Sequence, residues 1–268
     1  MKLNEFLSQH AVFTVKELDR FLSAQGSGKP NTRKSLLTYY RNQGRIIRVR
    51  RGLYASVPIG VDPVSSPVDP YLVAAKMTED AVLAYHTALE FNGKAYSVYT
   101  KLHYVSERKS LPLKFQSHEF TRAPVSNTLR AKGQEMFGVS NHKRSGVKVR
   151  VTNLERTFVD VLDRPDLTGS WEEIWRSLES IEFFDLDQVV DYTLMLENAT
   201  TAAKVGFFLD QHKETLMVDE AYLKPLRELR PRQPHYLIRG KRKDCQCVKD
   251  WNLMIPGEIL NRSWGEVL

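Results

Sequence analysis

Residues 29–54 read KPNTRKSLLTYYRNQGRIIRVRRGLY. Helical spacing places Leu36, Leu37 and Tyr40 on one face, with Arg33 at its margin. Thr32, Lys34, Ser35, Thr38, Arg41 and Asn42 fall on the other face. Asn31 is the expected N-cap, and Gly44 is the expected stop just past the last turn. From Ile46 the period changes to that of a strand. Ile47 and Val49 point one way, Arg48 and Arg50 the other, Arg51-Gly52 makes a turn, and Leu53-Tyr54-Ala55 returns. A helix followed by a basic two-stranded hairpin is the second half of a winged helix-turn-helix, and its polar face carries the side-chain types that hydrogen-bond base edges and phosphates.

The charge of the stretch points the same way. It holds Lys29, Arg33, Lys34, Arg41, Arg45, Arg48, Arg50 and Arg51, and no Asp or Glu occurs between Asp19 and Asp62. Ordinary solvated faces mix both signs, whereas a one-signed face gains free energy by neutralising phosphates and releasing their counterions. The expected DNA-binding set is Lys29, Asn31, Thr32, Arg33, Lys34, Ser35, Thr38 and Arg41 from the helix and its entry, with Arg48, Arg50 and Arg51 from the wing. Lys34, Thr38 and Arg41 are expected in the major groove, helped by Asn31 and Arg33, while the wing arginines reach phosphates or the minor groove. The competing readings are a solvated basic face with no partner, and a small helical cap with a structural hairpin.

Working back toward the N-terminus, Leu3, Phe6 and Leu7 share one face of a first helix. In AVFTVKELDRFLSAQG, Thr14 and Glu17 form a capping box, and Phe13 and Leu18 stand in hydrophobic-staple positions. Leu18, Phe21 and Leu22 give the second helix its buried face, and residues 25–30, with two glycines and a proline, must turn. Residues 1–58 thus read as a winged helix-turn-helix domain. The Pro- and Ser-rich residues 59–70 read as a linker, and 71–268 as a larger C-terminal effector domain.

The whole chain has 268 residues, 42% of them hydrophobic, and a formal charge of +7. That is enough for one large or two modest domains. Two cysteines exclude a disulfide framework. The opening MKLNEFLSQH has no long apolar run, and no stretch is apolar enough to span a bilayer, so no signal peptide and no membrane association are expected and the expected location is cytoplasmic.

In the second domain, residues 81–91 (AVLAYHTALEF) read as a buried helix ending at Gly93, with His86 as a hydrogen-bonded core histidine. Residues 98–106, 113–121, 136–139 and 147–151 have strand character, with His142, Lys143, Arg144 and Gly146 in the turn between the last two. Thr152 and Glu155 make a second capping box before NLERTFVDVL, whose core face is Phe158, Val161 and Leu162. Arg156 and Asp160 form an i,i+4 pair of modest value on that helix, and Pro165 closes it. Helices are expected over 171–180, 186–197, 201–212 and 219–229, and a terminal strand over 251–255. Ala202, Ala203 and Gly206 leave one side of the helix over 201–212 small enough for close approach. The expected fold class is α+β: an N-terminal winged helix-turn-helix followed by a mixed α/β domain with a mainly antiparallel sheet and several helices. Residues 225–243 are basic again, with Arg227, Arg230, Arg232, Arg239, Lys241, Arg242 and Lys243. They suit a phosphate backbone, an acidic partner or plain solvent.

The sequence holds no complete catalytic pattern. Structural zinc needs four ligands, and Cys245-x-Cys247 has only His235 nearby. Phosphate-cradling glycine loops and nucleophile elbows are missing. Gly169-Ser170 with Asp185-x-Asp187 has the composition of a nucleotidyltransferase metal site. Its aspartates belong on a strand in such a site, yet Asp185 and Gln188 read as an N-cap and its partner. The predicted strands carry no D…E-x-K arrangement for a nuclease. No metal, cofactor or catalytic activity is expected.

RVRRGLYA, AYHTALEFNG, VTNLERTFVDVLDRPDLTGSWEE and NATTAAKVGFFLD, in this order along nearly the whole chain, resemble the AbiEi family of antitoxins and regulators. The segment around Glu155, Arg156, Thr157 and Asp160 is the most specific part. The resemblance implies an N-terminal domain that binds inverted repeats in its own operon promoter, double-stranded DNA being the first partner. It also implies a C-terminal domain that antagonises a cognate nucleotidyltransferase toxin in a type IV toxin–antitoxin system of phage defence, through functional or transient contact. The alternatives are a ligand-responsive repressor with a small-molecule site in the C-terminal domain, and a nucleic-acid-processing enzyme.

Overall fold

The structure, a computed structural model, describes residues 2–27, 29–238 and 244–261. The chain divides into two units: Met1–Leu83, Thr100–Ala123 and Asn141–Val151 form the first, and Ala84–Tyr99, Pro124–Ser140 and Thr152–Leu268 the second.

The first unit begins with α1 (Lys2–Gln9), β1 (Val12–Thr14), α2 (Val15–Ala24), α3 (Pro30–Asn42), β2 (Ile46–Arg50) and β3 (Leu53–Ser56), the order of a winged helix-turn-helix. The capping box is present: Glu17 N–H donates to Thr14 Oγ1 at 3.3 Å, and Thr14 N–H donates to the Glu17 carboxylate at 2.8 Å. Phe6, Leu7, Phe13, Leu18, Leu22 and Ile46 form the buried cluster, and Leu36, Leu37 and Tyr40 of α3 pack against it. Fully burying a large apolar side chain stabilises by about 1.5–3 kcal/mol. That packing fixes which face of α3 is turned outward.

Three local expectations need correction. β1 pairs antiparallel with β3, Val12 opposite Ala55 and Thr14 opposite Leu53, so the winged sheet has three strands. The N-cap of α3 is Lys29, not Asn31, because Pro30 takes the first helical position with its φ already helical. The β2–β3 register shifts between Arg48 and Arg50, a bulge that breaks the expected alternation. Ile46 and Val49 are buried as a result, and Arg50 is half-buried.

The first unit continues with α4 (Pro70–Ala75), capped by Asp69, which accepts from Tyr71 N–H at 3.0 Å. Its larger sheet has six strands: β4 (Val82–Leu83), β5 (Lys101–Val105), β6 (Leu113–Phe115), β7 (His118–Ala123), β8 (Val139–Arg144) and β9 (Val147–Thr152). Their order is β6-β7-β5-β4-β9-β8. Within the sheet β4–β5 and β6–β7 pair antiparallel, while β5–β7 and β4–β9 run parallel. The expected helix over 81–91 is wrong in its first half. Ala81, Val82, Leu83 and Ala84 are all buried, and β4 lies between β5 and β9. A strand covered on both faces is apolar throughout, which a short sequence window cannot tell from a buried helix. The strand expected over 113–121 is split at Gln116, whose φ is 51°. His142, Lys143 and Arg144 belong to β8, and the turn is Ser145-Gly146, with φ of 46° and 77°.

The second unit is mainly helical: α5 (His86–Phe91), α6 (Asn127–Ala131), α7 (Leu154–Asp163), α8 (Trp171–Glu179), α9 (Leu186–Met195), α10 (Ala199–Gln211) and α11 (Glu220–Leu229). A small sheet of β10 (His235–Tyr236), β11 (Cys245–Val248) and β12 (Leu253–Pro256), then α12 (Gly257–Leu260), completes it. α7 is the central helix, with seven consecutive residues, Arg156–Leu162, buried. Asn153 caps it by accepting from Arg156 N–H at 3.0 Å, in place of the expected Thr152, whose hydroxyl pairs with that of Thr157 at 2.7 Å. The small side of α10 is occupied as its composition requires: a Cβ on Gly206 would overlap the ring of Trp251, which is fully buried. No helix among the described residues is long and apolar enough to cross a membrane.

Candidate nucleic-acid interface

The outward face of α3 follows from its packed face. With Leu36, Leu37 and Tyr40 held by the core, the helical repeat turns Asn31, Lys34, Ser35, Thr38, Arg41 and Asn42 outward. Asn31, Lys34, Ser35, Thr38, Tyr39 and Asn42 line one shallow groove along the helix. Tyr39 is 57% exposed and is the residue of this face that sequence reasoning misses. Its signal is available, because at about 100° per residue position 39 falls roughly 200° from Leu37 and 100° from Tyr40, off the packed face. Lys29 is exposed at the helix entry.

Other members of the expected set are held back. Thr32 is half-buried. Arg33 donates to the Asp19 carboxylate at 2.6 Å, so its charge is already met. On the wing, Arg48 and Arg51 are exposed, Arg51 at the turn itself. Arg50 faces inward: its guanidinium donates to the Met77 carbonyl oxygen and, at 3.0 Å, to Ser110 Oγ. The surface that the fold brings together is therefore the α3 groove with Arg41, plus Arg48 and Arg51 on the wing.

The residues weighed for other chemistry have structural partners. His86 is buried, with Nε2 3.0 Å from a Glu173 carboxylate oxygen and its ring stacked on Tyr99 at 4.0 Å. Burial raises the Glu173 carboxyl, but hydrogen bonds from Ser97 and His86 outweigh it and hold the group below the ordinary range. Ser170 and Asp185 are N-caps, accepting from Glu173 N–H at 3.1 Å and Gln188 N–H at 3.2 Å. Cys245 and Cys247 lie on β11 and form no disulfide among the described residues. Among the described residues no group of His, Cys, Asp and Glu is placed to hold a metal ion. In the basic tail, Arg227 pairs with Glu220 and lies over the Trp251 ring, while Arg239, Lys241, Arg242 and Lys243 lie outside the described residues.

The Arg156–Asp160 pair, expected as an i,i+4 pair of modest value, is part of a buried network. Arg156 Nε donates to Asp160 at 3.3 Å, and Nη1 donates to the carbonyl oxygens of Glu135 and Phe137 at 2.7 Å each. Tyr192 OH donates to the other Asp160 oxygen at 2.7 Å. Burial pushes the Asp160 carboxyl above its ordinary value, against the pull of Arg156 and Tyr192.

Residues 1–57 match a family model described as a transcriptional regulator, AbiEi antitoxin. The family resemblance read from the sequence holds over that stretch, and the match supports a DNA-binding regulator. Among solved structures, the RV2827C protein from Mycobacterium tuberculosis has a similar fold, with a TM-score of 0.59 at 17% identity over 98% of this chain and 93% of that one. No curated protein matches the chain.

Proposed function

We propose that the chain is a DNA-binding repressor and antitoxin of a type IV toxin–antitoxin system. Residues 1–58 bind inverted repeats in its own promoter, and 71–268, beyond the linker 59–70, antagonise a nucleotidyltransferase toxin without catalysis of their own. The observation that carries the DNA half is the division of α3: three residues held by the core, and opposite them an outward groove of Asn31, Lys34, Ser35, Thr38 and Asn42 in a stretch without acids. Such side chains read base edges from the major groove, while Arg48 and Arg51 meet phosphates. The family match over residues 1–57 supports the same assignment. The toxin half is carried by the resemblance alone.

The test is a binding titration on the promoter upstream of the chain's own reading frame, beside random duplex of equal length. Lys34→Ala or Thr38→Ala is expected to cost about 1–3 kcal/mol more on the promoter than on random DNA. An equal loss on both would mean that α3 positions the protein without reading sequence. No protection of the promoter at low ionic strength would remove the DNA reading altogether. Co-expression with the product of the neighbouring frame tests the toxin half.

A further inference from the structure

The first unit contains a cleft of about 850 Å³ whose character is set by charge. Five separate segments wall it: the start of α2, the wing turn, the residues after α4, the turn after β5, and β9. Nine lysines and arginines line it against two glutamates. Both glutamates are already engaged, Glu17 by Lys76 and Glu79 by Lys16 and Arg108. Arg50 and Arg150 donate to backbone carbonyls, of Met77 and Glu79, which accept their hydrogens but leave their charge uncompensated. The side chains of Arg51, Lys109 and Lys148 form no ion pair or hydrogen bond among the described residues. Cations converging on one concavity repel one another, and a bound polyanion relieves that repulsion.

We propose that this cleft binds a small molecule bearing two or more phosphate groups. Its size falls within the range of about 300–1,000 Å³ usual for small-molecule sites. Val15, Leu53, Ala75, Met77 and Ala81 supply apolar lining beneath the cationic rim, a place for an organic part of the ligand. A duplex presents its phosphates as an extended line and calls for a track. Here the cations close around one hollow, which suits a compact cluster of phosphates. Arg51 belongs both to the rim and to the wing, so occupancy withdraws one of the wing's charges from DNA. This last consequence rests on the DNA-binding reading, whereas the ligand site does not.

The experiment is calorimetric titration of the full chain with inorganic tripolyphosphate at low ionic strength, with ATP and GTP as parallel arms. Saturable binding is expected. The Lys109→Ala/Lys148→Ala double variant, which changes two exposed side chains, is expected to weaken it at least about tenfold, because lost charged hydrogen bonds act directly on affinity. Lys34→Ala on α3 is expected to leave it unchanged while promoter binding falls, which separates this site from the DNA-reading face. Tighter binding of a nucleoside triphosphate than of tripolyphosphate would assign the apolar lining to a nucleoside. No saturable binding of any of the three, or unchanged binding in the double variant, overturns the proposal. So does loss of random-duplex affinity in the double variant without any phosphate binding, which would make the cleft a nucleic-acid track.

Discussion

The two wing arginines side by side, Arg50 and Arg51, separate what the sequence treats alike. Arg51 is exposed at the turn with no ion pair or hydrogen bond among the described residues, so its charge is available to a phosphate. Removing one phosphate contact lowers the slope of log K against log salt by about 0.9. Over a fourfold rise in salt, Arg51→Ala is therefore expected to lose about 3.5-fold less affinity than the parent. Its melting temperature should hold, because the side chain stands in solvent. Arg50 is tied to the Met77 carbonyl and to Ser110. Two hydrogen bonds from a charged donor, discounted because the side chain is half-buried, are worth about 2 kcal/mol together. For a chain of this size that lowers Tm by about 4–8 °C. Arg50→Ala should thus move the melt and leave the salt slope within error. Anisotropy titrations at several salt concentrations, with a thermal melt of each variant, decide it. A slope reduced by about one in Arg50→Ala with no change in Tm would show that the inward hydrogen bonds do not hold in solution.

Three further outcomes are expected. Gly206→Ala places a methyl in the ring of Trp251 and should cost about 1–3 kcal/mol in urea unfolding; a gain in stability, as helix propensity alone would give, would refute that contact. Burial raises the Glu17 carboxyl, but hydrogen bonds from Lys76 and Thr14 outweigh it and hold it below its ordinary 4.5. Its stabilisation is therefore present above that ordinary value and lost as pH falls through the depressed one, so Glu17→Gln should flatten the acid limb of the stability curve, and parallel limbs for parent and variant would contradict it. Asp160→Ala leaves the buried Arg156 uncompensated and should cost about 3–5 kcal/mol, while Arg156→Met with Asp160→Leu should cost far less than the summed single changes; additivity in a double-mutant cycle would mean the pair does not act as a unit.

What is legible in the sequence is whatever repeats or caps. Thr14 with Glu17 locates α2, Leu36, Leu37 and Tyr40 orient α3, and Gly44, at φ 66°, marks its end. What is not legible is too short to show a period or depends on a distant partner. β1 has three residues and β4 two, and each becomes a strand only because another strand lies beside it. The inward turn of Arg50 needs both the bulge in β2 and the carbonyl of Met77, 27 residues further on. The cleft joins segments from residue 14 to residue 150, and no local window contains more than a fraction of its charge.

The segment around Arg156, Thr157 and Asp160, outside the matched residues 1–57, is among the most buried in the second unit. Its polar side chains meet one another, Tyr192 and backbone carbonyls, and their oxygens and nitrogens are largely consumed there. A group buried in this way cannot touch a toxin or a duplex without unfolding its surroundings. Its chemistry is specific because a buried guanidinium tolerates few substitutes once two carbonyls and a carboxylate are arranged around it. Such a segment is scaffold, and the partner-binding surfaces must lie on exposed residues. On this chain the exposed candidates with a physical rationale are the α3 groove, the wing turn and the cationic cleft.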